Sequence, residues 1–128
     1  MKKFYLVIMM QIAVATVFAQ QNTPPVMQRP EPVNPMKDKQ EYQGYTIRLM
    51  PALPTPQSMG SYAFDILQNN KPVVHLFENP LMTSPEGIQK KDDAYKIAQW
   101  MIREHAKTGH WENMVPPNVA NELKIATN

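Results

Sequence analysis

The sequence predicts an α+β domain: a small antiparallel sheet of three to four strands, covered by one long C-terminal helix and followed by a short tail helix. Three observations carry this. Tyr45, Ile47 and Leu49 alternate with Thr46 and Arg48, the period of a strand with one buried face. Two runs rich in aromatic and branched residues, 61–68 and 73–78, flank Asn69-Asn70, a pair suited to the positive φ of a tight hairpin turn. Ala94, Ile97, Ala98, Met101, Ile102, His105 and Ala106 repeat at the spacing of one helical face.

The chain opens with Met1-Lys2-Lys3, an apolar stretch over 4–19 broken by Gln11 and Thr16, and Val17-Phe18-Ala19 before Gln20. A positive start, a short apolar run and small residues at the −3 and −1 positions form the pattern of a secretory signal peptide, with cleavage expected between Ala19 and Gln20. A membrane span needs about 20 apolar residues, more than this stretch supplies. Residues 20–41 hold five prolines and no aromatic residue. They read as a disordered proline-rich spacer, because so little apolar surface does not offset the entropy of ordering. The folded unit is expected over 42–128.

Pro51, Pro54 and Pro56 are expected to end the first strand and open a loop that lasts to Gly60. A two-residue turn at Asn69-Asn70 sets a register in which Gln68 opposes Lys71, Ile66 opposes Val73, Phe64 opposes His75 and Tyr62 opposes Phe77. The face with Tyr62, Phe64 and Ile66 is the expected core. Pro72 marks the following strand as a sheet edge. A helix is expected over 91–107, with Asp92 and Asp93 complementing its dipole, Lys107 in its last turn and Gly109 as its stop. Residues 119–125 read as a closing helix capped by Asn118.

The chain has 13 Lys+Arg against 11 Asp+Glu, and Lys2 and Lys3 account for the excess. Without its leader it is formally neutral, which argues against nucleic acid or an anionic membrane bound by bulk charge. The absence of cysteine removes disulfides, thiol catalysis, cysteine metal sites and lipoprotein-type lipid attachment. A periplasmic or secreted location follows, with no membrane span after cleavage.

Few residues carry chemistry. Asp65 and His75 lie on neighbouring strands, but the expected register puts them on opposite faces. His105 and His110 stand five apart across Gly109, outside the spacing that helical zinc sites use, so no metal is expected. No nucleophile motif or phosphate-cradling loop is present, and Lys90-Lys91 is offset by Asp92-Asp93. Trp100 and Trp111, with Tyr95 and His110, read either as cover over the core margin or as a small exposed aromatic patch that binds a peptide or glycan.

The strand Tyr62-Ala63-Phe64-Asp65-Ile66, the turn Asn69-Asn70-Lys71 and Val73-Val74-His75 stand beside Gly87-Ile88, Asp92-Asp93-Ala94 with Ile97-Ala98, Pro116-Pro117 and Glu122-Leu123. Over 61–125 this pattern resembles the short secreted proteins of Bacteroidota grouped as the domain of unknown function numbered 4907. The family tends to have Gly where Asn70 stands, an aromatic where Ile88 stands and Ser or Thr where Lys90 stands. The resemblance implies an exported α+β domain and brings no catalytic residue or cofactor with it. Two functional readings remain: a non-enzymatic module for an unidentified protein, peptide or glycan, and a small periplasmic enzyme or accessory subunit whose polar groups converge only in the fold.

Overall fold

The computed structural model describes residues 31–54, 56, 60–82 and 84–126. The leader and its cleavage point lie outside them. Four strands, β1 (Lys39–Tyr42), β2 (Tyr45–Ala52), β3 (Ser61–Gln68) and β4 (Lys71–Leu76), precede α1 (Lys91–Thr108) and α2 (Pro117–Glu122). The strands form one antiparallel sheet in sequence order, β1-β2-β3-β4. This is the α+β class that the periodicities predict.

Packing follows the two periods. Ile47 and Leu49 of β2 and Tyr62, Phe64 and Ile66 of β3 point to one side and are buried. Ala94, Ile97, Ala98, Met101 and Ile102 of α1 lie against them in one core, which Leu81, Ile88, Val115, Ala120 and Ile125 extend. Gly109 ends α1 in the left-handed region (φ 76°), where its N–H donates to the His105 carbonyl. The tail helix begins at Pro117 and not at residue 119; proline fits a first helical position, whose N–H has no partner to lose.

The sheet starts earlier than expected. β1 occupies three residues of the segment read as spacer and pairs with β2 across Gln43 (φ 48°) and Gly44 (φ 84°). The polar Lys39, Gln40 and Glu41 conceal this strand from a hydrophobicity reading, although Gly44 signals the turn. β2 also runs through Pro51 to Ala52, past its expected end. Pro51 pairs with Tyr62, whose N–H points away from β2 and donates to the Ile88 carbonyl at 2.8 Å. The position opposite is thus one that needs no donor toward β3, and β1 ends before reaching it.

The β3–β4 register departs from the expected one at a single residue. Gln68 still opposes Lys71 across Asn69 (φ 51°) and Asn70 (φ 62°), and Leu67 opposes Pro72. Ile66 then opposes Val74, leaving Val73 as the extra residue of a β-bulge. Every later side chain of β4 changes face. Leu76 turns into the core opposite Phe64, His75 turns out opposite Asp65, and Phe77 lies past the strand end with 62% of its surface exposed. Burying a leucine is worth roughly 2 kcal/mol relative to exposing it, and the regular register would have aimed the His75 imidazole at the core instead.

Two polar anchors tie the ends of the described residues to the body. Ahead of β1, Lys91 Nζ donates to Asp38 Oδ2 at 2.9 Å, the Asn34 N–H donates to the same oxygen at 2.6 Å, and the Tyr62 hydroxyl donates to the Glu31 carbonyl. At the other end the Ala126 N–H donates to Asp93 Oδ2 at 3.1 Å, so a first-turn carboxylate that suits the helix dipole also holds the tail.

Two outcomes test this packing. Ile97→Asp should cost about 4 kcal/mol or more in urea unfolding, because it deletes a fully buried aliphatic and leaves a charge without a partner; Lys107→Ala, on the exposed face, should stay within about 0.5 kcal/mol. The Asn34 amide, followed by Lys91, holds the Asp38 carboxyl below its ordinary 3.8. A depressed carboxyl gives stability that is present above pH 3.8 and lost as pH falls through the lower folded value. Amide protection factors in 31–38 should therefore fall below pH 3.8 in the native protein, and Asp38→Asn should bring the same loosening to pH 7. Unchanged protection in that variant would rule out the anchor.

Candidate functional site

The aromatic residues read either as cover over the core margin or as an exposed patch do not share one surface. Tyr95 and Trp100 are each only 9% exposed and belong to the core. Burial accordingly raises the Tyr95 phenol above its ordinary 10.0. Trp111 folds back over the end of α1 and is half-buried. Its ring stacks on His105, with centroids 4.0 Å apart and planes 11° apart, and meets the Tyr45 ring edge-on at 5.6 Å. His110 stands exposed beside this cluster, its N–H donating to the Thr108 hydroxyl at 3.1 Å. Trp111 and Tyr45 thus seal the junction of α1 with β2. Among the described residues no group of three or more His, Asp or Glu side chains could hold a metal ion.

The sheet face opposite α1 carries a polar constellation that the bulge creates. Asp65 projects from β3 with its side chain 5% exposed. Arg48 Nη2 of β2 donates to its Oδ2 at 2.8 Å, and His75 Nδ1 of β4 donates to its Oδ1. Both carboxylate oxygens are engaged, so a buried charge is held from the two flanking strands. The partners remain 44% and 56% exposed. A carboxylate on Nδ1 is the orientation used by imidazole bases. The sequence hides this pair because a regular hairpin keeps the two residues apart. The signal available was a conflict: the regular register aims a histidine at the core while exposing Leu76.

At the end of the sheet a second feature has no sequence precursor. Beyond Leu76 the β3–β4 pairing stops, β2 ends at Ala52, and the 78–87 loop passes alongside. Between them lies a groove of about 390 Å³ with Pro51, Ala52, Leu53, Phe77 and Pro85 along its walls and Glu78 and Glu86 beside them. Gly87 makes the loop's close approach possible. Its φ is 80°, and a Cβ there would stand 2.9 Å from the Ser61 hydroxyl oxygen. Leu53 is 87% and Phe77 62% exposed, and the Phe77 ring lies 5.4 Å from that of His75. The groove borders the polar constellation, yet Arg48, Asp65 and His75 do not line it. Sequence reasoning missed it because it joins the end of β2 to residues after β4 that are distant from it in the chain.

No helix among the described residues is long and apolar enough to cross a membrane. No protein-family model matches the chain, and no curated protein or solved structure matches it.

The constellation has a measurable consequence. Asp65→Ala should cost about 2–3 kcal/mol in urea unfolding, since it removes a buried acceptor of two hydrogen bonds, one from a charged donor. His75→Ala should cost less than about 1 kcal/mol, because a half-exposed partner is readily replaced by water. Equal costs would mean that Asp65 does not join the three strands.

Proposed function

We propose that the chain is an exported, non-enzymatic binding domain, periplasmic or secreted, that takes its partner in the groove at the end of the sheet. One observation carries the reading: two large, exposed apolar side chains, Leu53 and Phe77, line one groove. Exposed apolar surface costs solubility and is retained where something covers it. The walls are short continuations of β2 and β4. Export is supported by the leader pattern over 1–19.

The Asp65–His75 pair favours the other reading, a small periplasmic enzyme with His75 as a general base. Its position outside the groove supports a structural role for the pair instead, and the two readings separate by substitution. Selection of a displayed random-peptide library on the native domain should enrich binders. Phe77→Ser together with Leu53→Ser should weaken them at least tenfold with an unchanged far-UV circular dichroism spectrum, while His75→Ala leaves them bound. Absence of enrichment, or binders indifferent to the Phe77 and Leu53 changes, would defeat the proposal.

A further inference from the structure

The binding reading leaves the partner's chemistry open, and the groove's charge narrows it. Its polar rim is acidic. The Glu78 carboxylate is exposed and has no hydrogen-bond or ion-pair partner among the described residues, and the carboxylate of the half-buried Glu86 accepts a hydrogen bond from the Ser84 hydroxyl at 3.2 Å. Among the described residues no Lys or Arg lines the groove. The neighbouring chain adds none, because 49–64 contains no charged residue and neither does 79–85. Two carboxylates over apolar walls, with no local counter-charge, make a surface that attracts cations and repels anions. Strand pairing also ends at Leu76, so the backbone at Phe77 and Glu78 lacks a neighbouring strand and stands along one wall. An extended chain is the ligand shape that such a wall accommodates.

We propose that the groove binds a short extended peptide segment of a partner protein, apolar and carrying Lys or Arg, with aliphatic or proline side chains against Leu53 and Phe77 and the basic groups on Glu78 and Glu86. This rests on the binding reading above and adds the ligand class. The edge strand β4 begins with Lys71 and Pro72 and carries the bulge, three features that obstruct pairing with an added strand.

The test uses three fluorescein-labelled decapeptides of one Pro-Val-Leu frame, carrying three lysines, no charge or three glutamates, read by fluorescence anisotropy against the whole exported protein. The lysine peptide should bind at least tenfold more tightly than the glutamate peptide, and the ratio should shrink between 0.05 and 0.5 M NaCl. Glu78→Lys with Glu86→Lys should reverse the order; both positions lie outside the core, and Glu78→Gln alone, which should lower the preference several-fold, guards against a misfolded double variant. Lysine and glutamate peptides that bind alike, yet are lost together in Phe77→Ser, would overturn the ligand class and leave the groove standing as the binding surface. If none of the three peptides binds, the ligand class is again overturned, and the library selection decides the groove independently.

Discussion

One unpaired residue, Val73, governs the C-terminal half of the sheet. The hairpin begins in the register that its Asn69-Asn70 turn dictates. After Leu67 and Pro72, a regular ladder would put His75 toward α1 and Leu76 toward solvent. The bulge exchanges them. A buried leucine then meets Phe64, and an imidazole meets the carboxylate of Asp65. Both changes lower the free energy together, because the same slip that gains apolar burial also gives a buried charge its second donor. What β4 loses is one ladder position at a sheet edge, where a missing backbone pair stays in contact with water.

The same slip shapes the surface. It ends the paired strand at Leu76, so Phe77 leaves the sheet near the point where β2 also ends at Ala52. Two strand ends and one returning loop make a corner, and the left-handed Gly87 lets that loop lie against Ser61. The groove is therefore a by-product of sheet geometry. The polar constellation sits next to it on the open face, where Arg48, Asp65 and His75 join β2, β3 and β4 through one carboxylate.

Several side chains serve two purposes, which is characteristic of a small core. Asp93 complements the α1 dipole and anchors the tail through the Ala126 amide. Tyr62 fills the core and holds the Glu31 carbonyl with its hydroxyl. Trp111 covers the C-terminal end of α1 and packs on Tyr45 at the start of β2. With few layers to share the burial, segments that look peripheral in sequence supply part of the cover.

Local periodicity determined the α+β class, the long helix with its buried stripe, the β3–β4 turn and the left-handed stop at Gly109. Each of these is written within a few residues, where propensity and side-chain spacing act directly. β1 was not legible, since Lys39, Gln40 and Glu41 bury little, and the strand exists because β2 offers it an open edge across the Gln43-Gly44 turn. Nor were the positions of Tyr95 and Trp100, whose place at the margin of the helical stripe leaves core and surface equally open until the sheet is docked. The bulge, and with it the pairing of Asp65 with His75 and the exposure of Phe77, was settled only in three dimensions. A one-residue slip leaves every local preference unchanged and alters only which side chains meet the helix, a quantity that the sequence does not contain until α1 lies against the sheet.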